Sequence, residues 1–214
     1  LDHLASPSYS TPWGVRLIDR ASPAYRPRGY HAGAVWPLFT GWVALAEFRC
    51  WRAEAGLAHL LAVASCSAQR TRGAFDEVLD GDTGEGAGIC PDQAWSAAMV
   101  IAPVVHGLLG MRPRAAEQRC AFAPRWPPGW SAATFRRLRV GGSRFTLEAR
   151  RDTPEGSASP TWRCRFTLDG GEPLAIALEG PDGTRTEGRL DATAPLDLAL
   201  PAAPRRSGGT GGGR

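Results

Sequence analysis

The sequence predicts an α+β protein in which the two kinds of structure follow one another, helices first and then a small antiparallel β-domain. Apolar residues recur at helical spacing up to about residue 112, and they alternate with a period of two after Ser131. The 214 residues are 43% hydrophobic, which is enough for a packed core. No apolar stretch reaches the ~18 residues of a membrane-spanning helix, so we expect no membrane partner.

Three helices are predicted in the first part, which we place at residues 1–112. They cover Val35 to Trp51, with Pro37 in the first turn, then Ala53 to about Ser67, and then Pro91 to Leu109, with a kink at Pro103. Each helix is apolar on nearly all sides, which is typical of helices buried among other helices. Because three helices cannot bury so much apolar surface among themselves, we expect this part to belong to a larger helical assembly.

The second part is predicted to consist of a linker, a β-domain and a tail. Residues 113–130 are rich in proline and predict a linker that packs by its two tryptophans. Residues 131–200 predict four or five short strands, including a hairpin at Gly141-Gly142 and a turn at Asp169-Gly170-Gly171. Residues 201–214 end in a run of Ser, Gly and Thr and are predicted to be disordered.

Charge and cysteine content do not indicate a nucleic-acid or metal-binding protein. The net charge of +4 comes from 25 arginines, and those after residue 113 alternate with apolar residues, as on the solvent face of a sheet. We therefore expect no nucleic-acid partner. The five cysteines show no CxxC pair or metal-ligand spacing with histidine, which predicts no metal site and free thiols in a reducing compartment, hence a cytoplasmic protein.

Two loops that precede helices hold the residues whose side chains could bind a ligand or take part in a reaction. The first is residues 29–37, and the second is residues 73–96, which is rich in glycine and acidic side chains. A loop that presents carboxylates, amides and aromatic rings at a helix start could bind a sugar. The alternative is a solvent-facing turn, and the spacing does not match a calcium-binding loop.

These loops resemble the C-terminal motifs of (α/α)6-toroid glycoside hydrolases, specifically the glycogen-debranching (amylo-α-1,6-glucosidase) and mannosylglycerate-hydrolase-like group. The first motif, Tyr-His-x-Gly-x-Val-Trp-Pro, is matched at residues 30–37, and the second, Cys-Pro-x-Gln-Ala-Trp-Ser, at residues 90–96. The resemblance covers about residues 10–112. It implies that residues 1–112 are the last helices of a toroid, followed by the β-domain, and that the chain acts on an oligo- or polysaccharide without a cofactor.

The resemblance also implies a role for Glu77 as the general base of an inverting hydrolase. The family has Pro before this Glu, and Asp76 stands there instead, so either carboxylate could be the base; we prefer Glu77. Inversion needs a second carboxyl group ~6.5–9.5 Å away as the general acid. In the family the acid comes from a loop far upstream, so we expect the chain to be the C-terminal part of an α-glycosidase that lacks its acid.

The other candidate residues each have a structural alternative. Trp36 and Trp95 could stack on a sugar ring or pack the helices, His31 could hydrogen-bond a substrate hydroxyl, and Gln93 could orient substrate or cap its helix. Tyr30 completes the predicted substrate-binding set. At the level of the whole chain, the alternative function is a non-catalytic carbohydrate-binding or structural module that retains the toroid shape.

Overall fold

The chain is described here by a computed structural model that covers residues 1–68, 72–152 and 160–201. It divides into two compact units, which we call unit 1 (Leu1–Gly110) and unit 2 (Met111–Arg214). Unit 1 contains the helices and unit 2 is built mainly from strands, so the predicted order of helices followed by a β-domain is confirmed. Among the residues described, no helix has the length and apolar character needed to cross a bilayer.

Unit 1 has three α-helices at the predicted places. A short hairpin of β1 (Ser10–Thr11) and β2 (Gly14–Val15) precedes them. The helices are α1 (Pro37–Arg49), α2 (Ala53–Cys66) and α3 (Ala94–Ala102). Proline at the first position of α1 fits there because that residue has no intrahelical partner for an N–H group.

The third helix changes geometry at Pro103 rather than ending. Residues Pro103–Leu108 continue it as a π-helix. Proline lacks an N–H group and its ring clashes with the preceding turn, so the regular i→i−4 pattern cannot pass through it. The expected distortion at Pro103 is thus present, and it takes the form of a wider helical turn.

The core of unit 1 lies between α2, α3 and the loops that precede α1 and α3. Its buried centre comprises Val35, Val63, Cys66, Phe75 and Leu79. Helices α1 and α3 approach closely at Gly41, where an added Cβ would lie 2.4 Å from Cβ of Met99. Several large apolar side chains of unit 1 nevertheless remain exposed, namely Trp42, Leu61, Ile89, Trp95 and Ile101.

Unit 2 is a β-sandwich of two four-stranded sheets. Its strands are β3 (Met111–Arg114), β4 (Arg119–Phe122), β5 (Ala132–Val140), β6 (Ser143–Asp152), β7 (Thr161–Gly170), β8 (Leu174–Glu179), β9 (Arg185–Leu190) and β10 (Leu196–Pro201). One sheet has the order β10-β7-β6-β5 and the other β3-β4-β8-β9. Phe122 of the second sheet packs against Phe145 and Phe166 of the first, with ring centroids 6.1 and 5.5 Å apart.

The structure of unit 2 differs from the sequence prediction in three respects. The predicted linker, residues 113–130, contains the second half of β3 and all of β4, because the partner strand β8 supplies β4 with hydrogen bonds that local sequence does not reveal. The sheet is not wholly antiparallel, since β4 and β8 run parallel. The described residues from Ala132 to Pro201 form six strands, β5 to β10, where four or five were predicted.

The predicted hairpin of unit 2 can be compared with the structure, whereas the predicted tail cannot. The hairpin at Gly141-Gly142 is present, joining β5 and β6 with Val140 opposite Ser143. A β-bulge between Phe135 and Leu138 accommodates the two consecutive arginines, with Arg137 at φ 59°, so that both apolar residues face the same side. The predicted disordered tail, residues 201–214, lies outside the described residues except for Pro201, which ends β10.

Candidate active site around Glu77

The two loops singled out from the sequence are joined by a short backbone ladder. Val35 and Leu79 exchange both of their backbone hydrogen bonds, at 3.0 and 2.8 Å. Isolated bridges extend the ladder from Val35 to Arg16 and from Leu79 to Gly86. Val35 and Leu79 are fully buried, so the pairing brings residues 29–37 alongside the acidic loop at a rigid part of the core.

Glu77 meets the first loop through Tyr30. The phenol of Tyr30 donates a hydrogen bond to Oε1 of Glu77 at 2.5 Å, and the residue Glu77 is only 7% exposed. This hydrogen bond is the main cause of a raised pKa of Tyr30, because the neutral phenol is the form that can donate to the carboxylate. The N–H of Glu77 donates to the carbonyl of Cys90 at 2.8 Å, which fixes the backbone beneath the side chain.

An aromatic cluster holds Tyr30 in place. The indole Nε1–H of Trp36 donates to the carbonyl oxygen of Tyr30 at 2.8 Å, and the two rings meet edge to face with centroids 4.5 Å apart. His31 stacks on Trp36 with centroids 5.5 Å apart and an angle of 19° between the rings. His31 is exposed, so its imidazole is open to a ligand beside Glu77.

Asp76, the neighbouring acid, points to different surroundings. An added Cβ on Gly86 would lie 2.8 Å from Oδ1 of Asp76, so this carboxylate packs against the loop backbone. It also lies near the buried thiol of Cys66, whose pKa rises mainly because of burial and, to a smaller extent, because of the Asp76 charge. Glu77 contacts the aromatic cluster through Tyr30, and Asp76 packs beside Gly86.

Two further acids of the loop, Asp80 and Asp82, have structural partners. Oδ1 of Asp80 accepts the backbone N–H groups of Asp82 and Thr83, at 2.8 and 3.1 Å, and its other oxygen pairs with Arg28. Asp82 pairs with Arg16 and Arg20. These contacts order the turn. Within residues 1–68, 72–152 and 160–201, no cluster of three His, Cys, Asp or Glu side chains could hold a metal ion.

Arg16 is a positioning residue that the sequence analysis missed. It is 5% exposed, and its Nε donates to the carbonyl of Gly81 at 2.9 Å and to the phenol oxygen of Tyr25 at 3.2 Å. Its NH1 group donates to the carbonyls of Pro7 and Ser8. The guanidinium thereby ties the N-terminal segment to the acidic loop, and no motif in the sequence marks a lone arginine for this role.

Gln93 and Trp95 lie at the start of α3 and not in the aromatic cluster. The N–H of Gln93 donates to the carbonyl of Phe75 at 2.7 Å, which places the helix start two residues from Glu77 along the loop. The side chain of Gln93 makes no capping hydrogen bond, so the capping alternative is wrong and the amide is left for other partners. Trp95 is 42% exposed in the first turn of α3.

Comparison with family models gives two matches. Residues 1–96 match the mannosylglycerate hydrolase MGH1-like glycoside hydrolase domain. This match relates the first part of the chain to glycoside hydrolases. Residues 111–182 match the C-terminal domain of glycosyl hydrolase family 65. No curated protein significantly matches the chain.

The first match confirms the resemblance to glycoside hydrolases inferred from the two motifs, and the second relates unit 2 to a domain of another glycoside hydrolase family. All of the predicted site residues, from Tyr30 to Trp95, lie within the MGH1-like region. A glycoside hydrolase domain implies a carbohydrate substrate, which agrees with the site of a buried carboxylate beside stacked aromatic rings.

Proposed function

We propose that this chain supplies the general base, Glu77, of an inverting glycoside hydrolase that acts on α-glycosidic bonds in an oligo- or polysaccharide, of the glycogen-debranching type. The observation that supports this role is the hydrogen bond from Tyr30 to Oε1 of Glu77. The hydrogen bond holds one carboxylate oxygen in place, and a general base must be fixed in position beside the water that it activates.

The two oxygens of Glu77 would have different tasks in this reaction. Oε1 is held by Tyr30, and among the described residues no second side chain donates to the carboxylate. Oε2 is therefore available to accept the proton of a water molecule as that water attacks the anomeric carbon. The glycosidic oxygen takes a proton from the general acid, the C–O bond breaks, and the product has the opposite anomeric configuration.

The general acid is proposed to come from a part of the enzyme outside residues 1–214. Inversion requires ~6.5–9.5 Å between the two carboxyl groups with water in between, and Asp76 does not fit because it packs against Gly86 in its own loop. The exposed apolar residues on the three helices, among them Trp42, Leu61 and Ile101, support a toroid in which further helices pack on this face.

Substrate binding is proposed to involve the rings next to Glu77. His31 is exposed and stacks on Trp36, so the imidazole can donate to or accept from a sugar hydroxyl while Trp36 fixes its plane. Gln93 and Trp95 lie at the start of α3. The Gln93 amide makes no capping hydrogen bond there and the Trp95 indole is half-exposed, so both could extend the site. Tyr30 would line the substrate site while its hydroxyl, which donates to Glu77, orients the carboxylate.

Replacing Glu77 with glutamine in the full-length enzyme tests the proposal. We expect Glu77→Gln to lower kcat by about 10²–10⁴-fold with an unchanged melting temperature, because the amide cannot accept the water proton. NMR of the first product formed by the unmodified enzyme should show the inverted anomer.

Glu85→Gln is the matched control, since Glu85 is an exposed acid in the same loop. It should retain full activity. Retained activity in Glu77→Gln, or a product with retained configuration, would refute the mechanism. A protein that binds oligosaccharide but hydrolyses none, with or without Glu77, would instead be a carbohydrate-binding module.

A further inference from the structure

The outer face of one sheet in unit 2 forms a trough with a volume of about 710 Å³. This sheet is β3-β4-β8-β9, and the trough follows its two central strands, β4 and β8. The volume lies within the range of small-molecule sites. None of the residues of the Glu77 site line it.

The floor of the trough is made of alanine. Ala121 on β4 pairs in register with Ala177 on β8, and Ala175 lies two residues before Ala177 on the same face. Alanine is depleted in strands, where β-branched and aromatic residues are enriched. Three small side chains here leave the two central strands uncovered, so a ligand can approach the sheet closely.

The walls of the trough are long charged side chains. Most of them are paired: Glu179 binds both Arg112 and Arg185, and Arg114 pairs with Glu117. The lining as a whole contains five arginines and three glutamates, which leaves a positive excess.

Two arginines in the trough are not part of these pairs. Arg119 is in register with Ala175, and Ala175 is in register with Arg189, so the two arginines flank one small residue across the sheet. Their Cα atoms are two strand spacings apart, about 10 Å. Within the described residues neither forms an ion pair, although Arg189 lies near enough to Asp191 to contribute to the lowered pKa of that carboxyl.

The outer face of the other sheet differs. A smaller cleft there, about 540 Å³, is lined by Arg163 and Arg165, and these pair with Asp152 and Asp197. Arginines that have carboxylate partners in the same sheet are typical of a solvated face. The trough on the first sheet differs in its floor of alanines and in its charge: its lining has two more arginines than acids (five against three), and that of the cleft one more (three against two).

We propose that the trough is a binding site for a small phosphorylated molecule, such as a sugar phosphate. Arg119 and Arg189 would hold the phosphate from both sides, because a guanidinium offers paired N–H donors that match phosphate oxygens, and a dianion balances two cations. The body of the molecule would lie on Ala121, Ala175 and Ala177. This site is independent of the hydrolase function proposed for Glu77.

Calorimetric titration of the 214-residue chain tests this assignment. In a low-salt buffer without phosphate, glucose 6-phosphate should bind saturably, inorganic phosphate more weakly and glucose not at all. Arg119→Gln and Arg189→Gln should each weaken the binding of glucose 6-phosphate at least tenfold, and Ala175→Phe should abolish it by filling the trough. Raising the salt should also weaken binding.

Arg144→Gln is the matched control, because Arg144 is an exposed arginine on the other sheet. It should leave the affinity unchanged, and all variants should keep the melting temperature of the original chain. Absence of saturable binding, equal loss in the control, or binding of glucose itself would overturn the proposal. Equal affinity for phosphate and glucose 6-phosphate would overturn the role of the alanine floor.

Discussion

The phenol oxygen of Tyr30 lies 2.5 Å from Oε1 of Glu77, although the two residues are 47 positions apart in the chain. The contact depends on the Val35–Leu79 ladder, which aligns the two loops, and on Trp36, which holds the carbonyl of Tyr30. Through this contact Tyr30 orients Glu77, while the adjacent Asp76 packs against the backbone at Gly86.

The first prediction concerns the ionisation of Tyr30. The hydrogen bond to Glu77 raises the pKa of Tyr30, so this phenol should ionise at higher pH than a free tyrosine in an ultraviolet titration of the folded chain. In Glu77→Gln the carboxylate is gone, and the pKa of Tyr30 should fall towards its ordinary value. Because the folded-state pKa is raised, the stabilisation is complete below about pH 10 and decreases as the pH rises above it.

The variant Tyr30→Phe identifies which step of the ultraviolet titration belongs to Tyr30. The chain has three tyrosines, and the pKa of Tyr25 is also raised, mainly by burial. The late transition that moves in Glu77→Gln should be missing in Tyr30→Phe. A titration curve that is the same with and without the Glu77 carboxylate would contradict the contact.

The second prediction concerns the close approach of α1 and α3. Gly41→Ala should destabilise the chain by about 1–3 kcal/mol, because the new Cβ would lie 2.4 Å from Cβ of Met99, an atom that no rotamer change can move. Urea denaturation followed by circular dichroism measures the change.

Gly129→Ala is the control for this substitution, since a Cβ at Gly129 meets no atom within 4 Å. Its effect should stay within about 0.5 kcal/mol. If Gly41→Ala and Gly129→Ala unfold at the same urea concentration, α1 and α3 do not approach closely at Gly41.

The third prediction concerns thiol reactivity. All five cysteines are free, and burial raises the pKa of Cys120 and Cys164 to about 12 and that of Cys66 to about 11. These three should not react with a disulfide reagent at pH 8, because the reactive thiolate is scarce and shielded. Cys50 is exposed and Cys90 half-buried, so two thiols should react in the folded chain and five in denaturant.

The variants Cys50→Ser and Cys90→Ser show which thiols react in the folded chain, because each should remove one of the two. Rapid reaction of more than two thiols without denaturant would show that the core around Cys66 or the sandwich opens readily.

Helix positions were predicted well because they depend on local pattern. The apolar stripe of α2 and the proline at the start of α1 act within a few residues, and the observed bounds are close to those expected. Strands β3 and β4 were missed although they pair with each other locally, because β4 is held in the sheet by β8, more than fifty residues later. A proline-rich stretch reads as a linker when the strand that pairs with it cannot be seen.

The candidate site also contains residues that local motifs reveal and residues that only the folded chain reveals. Motif residues Tyr30, Trp36 and Glu77 could be selected from sequence, whereas Arg16 could not, because its importance lies in being buried among carbonyl oxygens from two other segments. Burial and hydrogen-bond partners are properties of the folded chain, and a lone arginine has no local signature of either.

By itself, the sequence determined the order of helices and strands, the two motif loops and the glycoside hydrolase resemblance, since periodicity and motif spacing are local. Tertiary structure alone decided which acid faces Tyr30, that β4 and β8 run parallel, and that Arg119 and Arg189 flank a floor of alanines. Each of these depends on which distant segments are hydrogen-bonded side by side, and no local pattern encodes that pairing.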